Sequence, residues 1–220
     1  MKDLREYYRE LYGDNDITNY RYGQLEDIIA KAKKERPAAL KKADKGGSGW
    51  YISEKMGGIM LYVDKFSHDL YEFEKRIDYL AELGVTYVHF MPLLKSREGN
   101  NDGGYAVADY LSIEEKLGDM KQFERAMGLL KKKGIRTCID FVLNHTAKEH
   151  EWARRCREGD PDYRDMYYMF DDRSIPDQYE KTLTQIFPEV APGNFTYYDD
   201  IKKYVMTRFY EFQWDLNYKN

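Results

Sequence analysis

The stretch IRTCIDFVLNHT, residues 135–146, starts as an apolar strand and ends in polar side chains. Residues 135–144 read as a strand with Asp140 inside it. The following AKEHEWA reads as a charged helix, and Asn144 and His145 sit where one gives way to the other. Upstream, GDMKQFERAMGLLKKKG (118–134) places Met120, Phe123, Met127 and Leu130 on one helical face and closes on Gly134. Before it, VTYVHFMPL (85–93) reads as a second strand. DLYEFEKRIDYLAELG (69–84) is a second helix, with Phe73, Ile77, Leu80 and Ala81 on one face and Gly84 at its end. GIMLYVDKF (58–66) is a short apolar run and reads as the first strand. Strand, helix, strand, helix, strand implies a parallel β/α architecture with right-handed crossovers.

The rhythm stops after Asn144. The rest of the chain is rich in Tyr, Asp and Pro (DPDYRDMYYMFDDRSIPDQY) and has no further β/α unit, as expected of a functional lid or an inserted subdomain. Residues 1–45 read as helical, with Leu25, Ile28, Ile29 and Ala32 at helical spacing. The glycine-rich DKGGSGW (44–50) reads as a boundary. The domains expected are therefore 1–45, 46–144 and 145–220.

Composition narrows the classes. The chain has 220 residues and a net charge of −4, so nothing favours nucleic acid, which selects a basic surface. The first residues, MKDLREYYRELYGD, carry charges throughout and do not form a secretory signal. No run approaches the roughly 18 apolar residues of a membrane helix. Two cysteines, Cys138 and Cys156, make neither a disulfide framework nor a zinc site. A cytoplasmic protein without membrane or nucleic-acid partners is the expectation. The 21 Tyr, 10 Phe and 3 Trp offer flat, partly polar rings that suit sugars, bases and peptides alike.

In α/β proteins ligands bind beyond the carboxyl ends of the strands. That face collects Asp64–Phe66, the loop after Pro92 and the pair Asn144 and His145. Plainer readings stand beside the functional one. Asp140 also reads as a buried, hydrogen-bonded carboxylate, Asn144 and His145 as a turn and helix cap, and NNDGGY as an ordinary glycine turn. Trp152 and the tyrosines around 163–179 read equally as subdomain core. His145 and His150 do not form H-E-x-x-H, and five residues on a helix set them about 140° apart, so no metal is expected. With no phosphate-binding glycine motif, no cofactor is expected either.

DFVLNHT resembles the first signature region of glycoside hydrolase family 13, the α-amylase superfamily, and NDGGYAVADY precedes it at the family's spacing. HEWARRCREGDPDYRDMYYMF, IPDQY, IFPEVAPGNF and FQWDLNY resemble its amylosucrase and sucrose-hydrolase branch. The resemblance runs from about Gly57 to the end and implies the N-terminal part of a (β/α)8 TIM barrel. That part would hold strands 1–3, a subdomain inserted after strand 3 and an N-terminal helical segment. It also implies retaining chemistry on sucrose or an α-glucan, with a nucleophilic Asp after strand 4 and an acid Glu after strand 5. Neither motif occurs in this sequence, so the expectation is a chain inactive alone, a non-catalytic half-barrel fragment with at most weak sugar binding being the alternative. By motif, Tyr105 matches the ring under the glucosyl unit and His145 the group on its 6-hydroxyl. Asp102 matches a carboxylate closing the pocket floor through a salt bridge, and Phe209 a pocket-lining ring. Asp140 and Asn144 match groups that shape the strand 3 loop. A partial barrel with bare edges is expected to self-associate.

Overall fold

The structure is a computed structural model that describes residues 2–45 and 49–219. The centre of the expected 44–50 boundary, Gly46 to Ser48, lies outside the described residues. The chain divides into two compact units, Met1–Glu54 with Lys219–Asn220, and Lys55–Tyr218.

The first unit is helical. α1 (Leu4–Tyr12) starts in a capping box, Asp3 accepting from the Glu6 N–H and Glu6 from the Asp3 N–H. α2 (Asp16–Glu35) is capped by Asn15, and α3 (Ala38–Lys45) follows Pro37. The expected stripe on α2 is not its buried face: Ile28 is 66% exposed and Ala32 is exposed. Burial falls on Thr18 and Tyr22, where Tyr8 packs 5.3 Å from Tyr22. The reason is length. Nine residues of α1 span under half of the twenty in α2, so only its first turns are covered.

The second unit opens with β1 (Gly58–Leu61). This strand is shorter than the expected 58–66. Val63 and Phe66, at i,i+3 spacing, instead form one turn of helix, α4 (Val63–Phe66), closed by Ser67 Oγ donating to the Val63 carbonyl. The expected 69–84 helix is two short ones, α5 (Leu70–Glu74) and α6 (Ile77–Glu82), which still bury Phe73, Ile77 and Leu80 on one side. Then come β2 (Tyr87–Phe90) and an irregular antiparallel hairpin of β3 (Leu94–Ser96) and β4 (Val107–Ile113). α7 (Met120–Lys132) has a capping box of Asp119 and Gln122, and β5 (Arg136–Ile139) follows.

β1, β2 and β5 form a parallel sheet in that order, with Gly58 beside Tyr87 and Tyr87 beside Arg136. Leu61, Phe73, Leu80, Val88, Phe90 and Leu130 fill the layer between sheet and helices. β5 ends before Asp140, so Asp140 stands just past the strand, not within it.

The remainder holds β6 (His145–Ala147), α8 (Glu151–Arg157), β7 (Met169–Phe170), α9 (Pro176–Glu180), β8 (Phe195–Tyr198), β9 (Lys203–Met206) and β10 (Gln213–Asp215). β7, β9 and β8 make a small antiparallel sheet, and β6 pairs antiparallel with β10. Asn144 and His145 therefore do not cap a helix. His145 begins a strand, and His150 caps α8, its Nδ1 accepting from the Trp152 N–H. Trp152 and Tyr163 pack on a core of Ala153, Tyr167, Val205 and Trp214.

Candidate functional site

The turn at 101–105 takes three successive residues into the left-handed region: Asp102 (φ 54°), Gly103 (φ 64°) and Gly104 (φ 96°). A Cβ on Gly103 would sit 3.0 Å from the Tyr62 hydroxyl, and one on Gly104 2.9 Å from Pro92 Cβ. Glycine is required by both torsion and space. Asn101 ties the turn down, its side chain accepting from the Gly104 N–H and donating to Ser96 Oγ. Asp102 carries the strain of a non-glycine at positive φ.

Asp140, at the end of β5, accepts two hydrogen bonds, from Tyr105 Oη on Oδ2 and with His89 Nε2 on Oδ1, both at 2.8 Å. Asp140 thus ties β2 and the 101–105 turn to the end of β5. The Tyr105 phenol is pushed well above its usual pKa by burial and by its bond to Asp140, so it stays a donor. Tyr62, at the end of β1, is raised by burial and by the nearby Asp140 and Asp102.

The β6–β10 ladder carries the rest. His145 faces Asp215 in register, and Trp214 faces Thr146. Side chains alternate, so Trp214 and Thr146 enter the Tyr167 core, where Thr146 Oγ1 and Tyr167 Oη lie 2.7 Å apart. His145, Gln213 and Asp215 share the other face. His145 Nε2 is 3.2 Å from the Tyr105 carbonyl, and Asn144 Nδ2 is 3.2 Å from Nδ1. With the proton on Nε2 both contacts are hydrogen bonds. The other tautomer would satisfy only the 3.0 Å approach of Gln213 Nε2. Burial pulls the His145 pKa down to about 4, against its bond to the Tyr105 carbonyl, so the ring is neutral at pH 7.

Gln213 Nε2 also donates to Asp102 Oδ2 at 3.0 Å. Burial raises the Asp102 pKa, and this bond opposes the rise. Asn144 Nδ2 donates to Asp215 Oδ1 at 3.0 Å. Burial lifts Asp215 to about 6, with bonds from Arg208 N–H and Asn144 pulling it back.

All six residues singled out in the sequence lie in this region. Tyr105 and Asp140 are bonded, His145 touches both Tyr105 and Asn144, Asp102 is bonded by Gln213, whose amide nitrogen lies 3.0 Å from His145 Nε2, and the Phe209 ring lies 4.9 Å from the His145 ring. Beside Phe209 lies a cavity of about 320 Å³, lined among others by Asn100, Thr196, Thr207, Tyr210 and Phe212. Neither Tyr105 nor His145 lines it. His89, Gln213 and Asp215 were not singled out. Their signals were a lone polar residue in YVHF and the alternation of QWD, both short. Among the described residues no three His, Cys, Asp or Glu side chains gather as metal ligands would.

Residues 43–220 match the alpha-amylase family over its catalytic domain. Trehalose synthase of Pimelobacter sp. (strain R48) is 36% identical over 148 residues, 66% of this chain and 25% of that protein. Oligo-1,6-glucosidase of Parageobacillus thermoglucosidasius is 33% identical over 149 residues, with the same shares. An isomaltulose synthase variant of Erwinia rhapontici NX5, solved with D-glucose, superposes with a TM-score of 0.67 at 27% identity, over 79% of this chain and 31% of that one. A MutB variant solved with its substrate sucrose gives 0.66 at 28% identity. The chain spans about a quarter to a third of the length of these relatives. Its three parallel strands, β1, β2 and β5, are the N-terminal part of a (β/α)8 barrel. The fold, the strand-end site and the match over residues 43–220 agree, and the chain belongs to the alpha-amylase family of glycoside hydrolases.

Proposed function

We propose that this chain supplies the glucosyl-positioning part of an enzyme acting on α-glucosidic bonds, with sucrose or an α-glucan as substrate, in the amylosucrase-like branch. One observation carries the reading. Tyr105, His145 and Phe209, far apart in sequence, are linked through His145: its Nε2 meets the Tyr105 carbonyl at 3.2 Å and its ring lies 4.9 Å from that of Phe209, gathering a neutral imidazole, a protonated phenol and a phenyl ring. Aromatic faces with a few convergent polar groups suit a sugar ring. The adjoining cavity of about 320 Å³ is at the small end of ligand pockets, about 300–1,000 Å³. Tyr105 stacks under the ring, His145 meets a hydroxyl, Asp102 closes the floor, and Asp140 and Asn144 hold Tyr105 and His145 in place. The nucleophile and acid belong to later strands, so residues 1–220 alone turn over neither sucrose nor maltooligosaccharides. The free thiols of Cys138 and Cys156 suit the cytoplasm.

The test uses the complete enzyme carrying this chain, incubated with sucrose, maltose and isomaltose while glucose, fructose and polymer are measured. Release from at least one is expected. His145→Ala and Tyr105→Ala should each lower kcat/KM by roughly ten- to a hundredfold, the worth of about 1.5–3 kcal/mol of lost bonding or stacking. No release from any of the three, or wild-type kcat/KM in both variants, overturns the reading. A plain sugar-binding half-barrel would bind glucose without turnover in the complete protein as well.

A further inference from the structure

Two side chains of one short strand hold the backbone on both sides of Phe209. Gln213 and Asp215 lie two residues apart on β10, so they leave the same face while Trp214 between them enters the core. Asp215 Oδ2 accepts the Arg208 N–H at 2.9 Å, and Gln213 Oε1 accepts the Tyr210 N–H at 3.0 Å. The Gln213 N–H returns a bond to the Tyr210 carbonyl at 2.8 Å. Each holder also reaches the opposite wall: Gln213 donates to Asp102, and Asp215 accepts from Asn144, beside His145. Both are buried, Gln213 at 0% and Asp215 at 4% exposure. Water could satisfy two loop N–H groups at the surface. Burying an amide and a carboxyl for that task costs desolvation, which is offset only where a fixed geometry is the result.

We propose that Gln213 and Asp215 are positioning residues that set the Phe209 ring against His145 and lock the 102–105 turn to the same wall. The ligand named for this wall rests on the glucosyl reading above, while the positioning itself does not.

Amide exchange followed by NMR on the 15N-labelled 220-residue chain, together with the Phe209–His145 ring contact read as an NOE, tests it without sugar. In the unmodified chain the Arg208 and Tyr210 amides should be protected. Asp215→Ala should speed exchange at Arg208, and Gln213→Ala at Tyr210, each about tenfold, the share of one hydrogen bond. Val205, in the core of the same region, should be unchanged. Both alanine variants should weaken the ring contact, and Asp215→Asn and Gln213→Glu, which keep an acceptor, should restore protection and contact. Unprotected amides in the unmodified chain, or an intact ring contact in both alanine variants, overturns the proposal. Should the alanine variants fail to fold, the unmodified chain and the two conservative variants decide: loss of protection in the latter overturns it. D-glucose titrated into the same samples separates the two readings. Positioning as expected with no glucose bound in any form supports this proposal and counts against the sugar.

Discussion

His145 and Asp215 face each other across the β6–β10 ladder, share Asn144 as a neighbour, and are shifted in opposite directions by the same burial. The His145 pKa falls from 6.5 to about 4, so the folded state binds fewer protons than the unfolded between those values, and stability rises with pH there. The Asp215 pKa rises from 3.8 to about 6, so the folded state binds more protons in that window, and stability falls as pH rises. Each contribution is on the order of 3 kcal/mol, and across pH 4–6 they nearly cancel. Denaturant unfolding at stepped pH should therefore separate them. Asp215→Asn exposes the His145 slope, stability climbing from pH 4 to 6.5. His145→Gln exposes the opposite slope, stability declining from pH 4 to 6. Variants that keep the wild-type pH profile would show that these two groups do not titrate as their burial requires.

Glycines close the short elements of this fold, and they are not equivalent. Gly134 ends the α7 turn at φ 74° with nothing within 4 Å of a built Cβ, whereas Gly104 at φ 96° would place its Cβ 2.9 Å from Pro92 Cβ. Gly134→Ala should cost about 1–2 kcal/mol for the left-handed torsion alone. Gly104→Ala should cost at least about 1 kcal/mol more, because the proline ring cannot swing away. Equal shifts in the urea midpoint would refute the steric part. The difference also shows what sequence could reveal. NDGGY announced a turn and the position of Tyr105, because glycine pairs have a local meaning. The β/α rhythm was readable for the same reason: each helix face repeats within a dozen residues. The hairpin of β3 and β4 was not readable, because its irregular register breaks the strand alternation. The early end of β1 at Leu61 was hidden because Val63 and Phe66 satisfy a helical turn as well as a strand. Asp140, Asn144 and His145 stood out beside an apolar run, but the partners that fix them, His89, Asp215 and Tyr105, lie 51, 71 and 40 residues away in the chain. Only tertiary pairing brings them together.

The parallel sheet has β2 at its centre and β1 and β5 at its edges, neither edge paired with a further strand among the described residues. Met60 on β1 is 60% exposed, and Phe141 and Leu143 beyond β5 are 56% and 58% exposed. Unpaired edges flanked by apolar side chains recruit other strands. As a separate polypeptide the 220-residue chain should elute as a dimer or larger species at about ten micromolar and above, measured by light scattering on a sizing column. A clean monomer there would mean the edges are covered. The strand-end site sets a different kind of cost. Joining His145 to Gln213 closes a loop of 68 residues, while pairing β1 with β2 closes one of 29. Chain-closure entropy grows only as the logarithm of length, about 1.5RT per natural-log unit, so the longer closure costs roughly 0.8 kcal/mol more. The extra length of the excursion between the two halves of the wall thus adds little to the closure cost. Segments can lengthen or change within it at about 0.6 kcal/mol per doubling of the loop, while the three-residue strands that carry the wall, β6 and β10, stay where they are.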